Sequence, residues 1–200
     1  MGNVSNAFLS GPVKWVNFSF MNRMISPVGY YHLAGMIESG KIKIDYNSDV
    51  ADGAQYDPSN TSTTSGRIII RDRSYGDSLI SEKATLIHEG AHAILDCFYP
   101  GHDLNGKKGT MRVVDDETMG YLAAAIYLIA AGLGSTAISG TPTYAAVQAA
   151  KPKVEASMTR GWDGCYTMQF SATDVSSLQS AIKTHEFYKN DWSTTAAHNG

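Results

Sequence analysis

Apolar residues return at every third or fourth position from 80 to 98. Ile80, Ala84, Ile87, Ala91, Leu95 and Phe98 make one stripe, the period of an amphipathic α-helix. Ser78 or Ser81 can cap its start, Glu82 suits the positive end of the helix dipole, and Pro100-Gly101 ends it. Residues 121–131 are apolar nearly all round, which predicts a helix buried on every side, and Asp115, Asp116 and Glu117 stand at its opening.

The rest of the pattern is shorter. Residues 13–20 alternate well enough for a strand, with a helix as the other option. Pro27 starts a helix that runs to Glu38 and is stopped by Gly40. Residues 41–46 alternate cleanly as a strand. Residues 47–66 are rich in Ser, Thr, Asn, Asp and Gly and are expected to form a long flexible loop. Residues 67–72 form a strand just before the first long helix. Its three isoleucines suit an interior strand, and its place also suits a sheet edge that pairs with an extended peptide. Thr141 caps a further helix with Pro142 in its first turn, expected to stop near Ala150 because Pro152 follows. Residues 160–164 read as a loop and 165–170 as a short strand. Residues 173–186 form an amphipathic helix with Val175, Leu178 and Ile182 on one side. Residues 190–200 are expected to fray. The order of elements predicts an α+β fold in a single domain, 1–200: a small sheet on the first long helix, the buried second helix beside it, further helices C-terminal.

Composition narrows the partners. A net charge of -3 gives no electrostatic case for nucleic acid. The apolar run from Tyr121 to Gly134 is too short for a membrane span. No basic region followed by a long apolar core marks a secretory signal, and the compartment stays open. Two cysteines, Cys97 and Cys165, are too few for a disulfide framework. A single bridge between them and two buried thiols are both open.

The chemistry sits on the first long helix as His88-Glu89-Gly90-Ala91-His92, an H-E-x-x-H stretch. Residues four apart share a helix face, so both imidazoles point at one spot where a zinc ion can sit. Glu89 can accept a proton from a water activated there. The plain alternative, two histidines at a core boundary, leaves Glu89 and the spacing unexplained. A third ligand is needed. Glu117, on the first turn of the buried helix, is the first choice, because binding a metal removes the cost of burying a carboxylate. Asp116, Asp115 and His102 are the alternatives. Tyr121 lies one turn after Glu117.

These two segments resemble the zincin superfamily of metallopeptidases, and within it the gluzincin type, over roughly residues 66 to 132. The resemblance implies a zincin-like fold, His88, His92 and Glu117 as ligands of one Zn2+ ion, and Glu89 as catalytic base. Many gluzincins carry an aspartate four residues after the ligand glutamate, where this chain has Tyr121. The metzincin extension fails, since Leu95 and Phe98 stand where glycine and histidine belong. Gly109-Thr110 followed by Asp115 faintly resembles the aspzincins. The expected function is zinc-dependent hydrolysis of an amide bond in a peptide or protein substrate. Tyr121, His102, Tyr99 and His185 are candidates to stabilise the oxyanion, and Asp96 is a candidate to orient an imidazole. Three other settings stay open: an effector or toxin protease, an amidase acting on cell-wall peptides, and a zinc-stabilised binding module without turnover.

Overall fold

The computed structural model describes residues 2–58, 65–99, 111–161, 166–185 and 188. Among them are six α-helices and two three-stranded sheets, a mixed α+β architecture. Its centre is a helix pair, α3 (Ile80–Phe98) and α4 (Val113–Ala130). On one side α1 (Gly2–Phe8) and α2 (Pro27–Glu38) pack on each other and on α3. On the other, α5 (Pro142–Arg160) and α6 (Ser176–Thr184) pack on α4. Among the described residues no helix is long and apolar enough to cross a membrane.

The apolar run of α4 buries all round, as its pattern predicts: residues 114–120 and 122–128 are all buried. Each large aliphatic side chain there contributes about 1.5–3 kcal/mol by leaving water. The same depth makes a charge in its first turns costly unless something meets it. The start of α2 follows its local signals. Ser26 Oγ accepts from the Gly29 N–H at 3.3 Å, and Gly40 beyond the helix takes φ +73°, the left-handed region that favours glycine.

Two helix boundaries differ from expectation. Neither Ser78 nor Ser81 caps α3; Leu79 precedes it without a side-chain cap. Glu82 turns back instead, accepting from the Gly76 N–H at 2.9 Å and from Arg71 at 3.2 Å. At the other end Phe98 is 43% exposed, so the buried stripe stops at Leu95. In α5, Thr141 Oγ1 accepts from the Tyr144 N–H at 3.2 Å, but the helix runs through Pro152 to Arg160 instead of stopping near Ala150. Pro152 faces solvent while Ala146, Val147, Ala150 and Val154 are buried. That burial outweighs the lost hydrogen bond and clash, a cost of about 3 kcal/mol.

One sheet runs β2 (Arg23–Ile25), β1 (Phe18–Phe20), β6 (Met168–Phe170), with β1 antiparallel to β2 and parallel to β6. Only the end of the 13–20 segment is therefore strand; Gly11–Trp15 is a 3-10 turn. The other sheet runs β3 (Ile42–Tyr46), β5 (Gly66–Ile70), β4 (Ala54–Asp57). Here β3 is parallel and β4 antiparallel to β5. The segment 47–66, expected as loop, thus contains a strand. Ala54 and Tyr56 are buried while Gln55 and Asp57 are half-buried, a period of two too short to stand out among polar neighbours. β5 is the interior strand, flanked on both sides, and Arg67 on it reaches Asp45 at 3.3 Å and Asp57 at 2.7 Å. The sheet edge that packs on α3 is β4.

Candidate metal centre

His88 and His92 stand one turn apart on α3, their ring centroids 4.8 Å apart. Glu117 faces them from α4. One ligand atom from each of the three residues lies within 4.8 Å of the others. Glu117 Oε2 is 3.2 Å from His88 Nε2, and Glu117 Oε1 is 3.8 Å from His92 Nε2. Tetrahedral ligands about 2.0–2.1 Å from a zinc ion lie roughly 3.4 Å from each other, so the spacing suits a small divalent cation. Glu117 Oε2 is buried and has no hydrogen-bond donor in line. Such an oxygen is costly unless a cation meets it. Two imidazole nitrogens and a carboxylate are a donor set that zinc accepts. On both counts the residues fit a metal ion.

The neighbours divide the remaining work. Asp116 Oδ2 lies 3.0 Å from His92 Nδ1, which leaves His92 Nε2 for an ion. An acceptor behind a ligating imidazole fixes its tautomer and ring orientation. Asp116, an alternative ligand in the sequence, stands at ion-pair distance behind His92. Asp115 is occupied elsewhere: it takes two bonds from Arg112, at 2.6 and 2.9 Å, and one from Gln179 at 2.9 Å, which ties α4 to α6. Asp96, a candidate to orient an imidazole, interacts with the Tyr56 hydroxyl and with Cys97. His102 and Gly109-Thr110 lie outside the described residues. Cys97 is a free thiol pushed up to about 11, by burial first and by Asp96 second. Cys165 also lies outside the described residues.

Glu89 is buried on the same helix and held from the sheet. Its Oε2 accepts from the main-chain N–H of Tyr56, on edge strand β4, at 2.7 Å. Burial pushes its carboxyl above the ordinary value, against the pull of His88 and His92. Glu117 goes the other way. Burial would raise it, but His88 and His92 outweigh that and hold it below the ordinary value. His92 feels burial as its largest influence, which disfavours the charged imidazole. Asp116, Glu117 and Glu89 together overcome it and raise the pKa to about 10. The centre therefore collects negative charge that His92 answers with a proton, or a metal ion answers in its place.

Two tyrosines close one side. The Tyr121 ring meets the His88 ring edge to face at 4.7 Å. Its hydroxyl interacts with that of Tyr188, which also interacts with Glu117. Burial first, then the Glu117 charge, pushes both phenols well above the ordinary value, so they stay protonated. Two further oxyanion candidates lie among the described residues. The Tyr99 hydroxyl is bonded to the main chain of Met24, at 3.1 and 3.2 Å. His185 caps the end of α6, its ring 5.7 Å from Tyr188.

Compared with protein-family models, with curated proteins and with solved structures, the chain matches none. The centre rests on its own geometry. Sequence reasoning brought together His88, His92, Glu117 and Tyr121, and missed Tyr56, Gly120 and Tyr188. Gly120 had a readable signal, since glycine inside an apolar helix costs about 1 kcal/mol against alanine and asks for a reason. Tyr56 acts through its main chain, and Tyr188 comes from distant sequence, so neither carried one.

Proposed function

We propose that the protein is a zinc-dependent metallopeptidase of the gluzincin kind. His88, His92 and Glu117 would hold one Zn2+ ion, and Glu89 would act as general base. The observation that carries this reading is the His88–His92–Glu117 triad beside Glu89, a buried carboxylate with a raised pKa on the same helix. Zinc in such a site supplies Lewis acidity toward a water and a scissile carbonyl. Glu89 would take a proton from that water and hand it to the leaving amine, its Oε2 positioned by the Tyr56 N–H. Tyr121, protonated beside His88, is the proposed donor to the oxyanion. The proposed substrate is a peptide or protein segment.

A second reading has one observation in its favour. His92 and Glu117 are only 5% and 7% exposed, which also suits a metal that stabilises the fold without turnover. Two experiments separate the readings. Elemental analysis of protein purified without added zinc should find about one equivalent in wild type and none in Glu117→Ala. A peptide-library screen should then find cleavage by wild type, while Glu89→Gln keeps its zinc and loses about 100- to 10,000-fold in rate. Full activity in Glu89→Gln would sink the general base. Zinc bound with no cleavage in any library would favour the structural reading.

A further inference from the structure

The two ligand histidines meet α4 differently, and the meeting at His88 is unusually close. A Cβ built on Gly120 would lie 2.7 Å from His88 Nε2, 2.8 Å from Cε1 and 2.9 Å from Cδ2. No real side chain sits that near another, so the His88 ring occupies space that any residue except glycine would fill. Gly120 lies one turn after Glu117 on the same side of α4. Tyr121, the next residue, meets the same ring edge to face at 4.7 Å. A glycine is the wrong choice for the helix itself, because alanine would be the better helix former. The backbone conformation does not demand it either, since Gly120 sits inside a regular α-helix. What remains is the hollow. We propose that Gly120 is a positioning residue of the metal centre: its missing side chain seats the His88 ring on α4 with Nε2 toward Glu117.

This inference rests on the metal reading above, and its test separates the two. Gly120→Ala forces the imidazole aside, since the ring is the movable party and the helix backbone is not. Zinc affinity, measured by competition with a chromophoric chelator, should fall at least about tenfold. The visible spectrum of the cobalt-substituted protein should lose intensity as the tetrahedral set is disturbed. The metal-free variant should stay folded. A denaturation cycle guards against a merely unstable variant, using Gly120→Ala in wild type and in His88→Ala. Any loss of metal-free stability in wild type should vanish once the ring is gone. Unchanged zinc affinity and cobalt spectrum in Gly120→Ala would overturn the proposal. So would equal destabilisation in both backgrounds. A wild type that binds neither metal overturns it along with the peptidase reading, while a surviving coupling between 88 and 120 would show that the steric contact alone stands.

Discussion

His88 and His92 belong to one helix, one turn apart, yet α4 holds them by different physics. His92 is held by charge: Asp116 sits 3.0 Å behind its Nδ1 and helps raise its pKa to about 10. His88 is fitted by shape as well: beside its 3.2 Å contact with Glu117, it lies in the hollow at Gly120 and meets the Tyr121 ring edge to face. An attraction of the first kind changes with protonation and with the charge of its partner. A hollow does not. The same centre therefore pairs a contact that pH can loosen, at His92, with one that only volume can, at the Gly120 hollow.

Removing a ligand should have the largest effect. His92→Ala is expected to lower zinc affinity on the order of a thousandfold or more, read by chelator competition. Retained tight binding would remove His92 from the ligand set.

Asp116→Asn should be milder, about 10- to 100-fold in zinc affinity, because the imidazole stays and only its orientation and basicity suffer. This variant also isolates the charge-held anchor. In the metal-free protein the folded pKa of His92 lies above its ordinary 6.5. Protonated His92 therefore contributes stability that is complete below 6.5 and is lost as pH rises toward about 10. Asp116→Asn removes one of the strongest upward influences and should flatten that slope. Gly120→Ala should leave it unchanged. Urea denaturation of the metal-free proteins across this range makes the comparison, and an equal slope in wild type and Asp116→Asn would assign the pH dependence elsewhere.

The smallest expected effect is at Tyr188. Its hydroxyl supports Glu117, which keeps both histidines as partners when that hydroxyl is gone. Tyr188→Phe should cost less than about tenfold in zinc affinity by calorimetric titration. A loss as large as that of His92→Ala would mean the phenol itself is a ligand.

Sequence made the helices of this centre legible because their signals are long and periodic. The stripe through Ala84, Ile87, Ala91 and Leu95 lies on the core, and Glu117 is carried inward by a helix that has no polar face. Short and unbranded features stayed hidden. Four residues of β4 could not announce a strand within a polar segment. Pro152 looked like a terminator because its solvent-facing placement depends on what α5 packs against. Asp116 entered as an alternative ligand and stands behind His92 while Glu117 faces both histidines, since one residue along a helix turns a side chain by about 100°. The hollow at Gly120 is a property of two helices together and exists in neither segment alone.

The bond from the Tyr56 N–H to Glu89 has a consequence of another kind. A main-chain donor survives replacement of its side chain, so among the ordinary point substitutions proline alone deletes it. Yet alternation along a strand makes the contact sensitive to counting. Deleting or inserting one residue between 54 and 57 would turn the Tyr56 N–H toward β5 and bring a neighbour's N–H to Glu89, while the faces buried at Ala54 and Tyr56 and half-buried at Gln55 and Asp57 change places. The acid is thus indifferent to spelling in this stretch, and it is the core beneath the strand that counts its length.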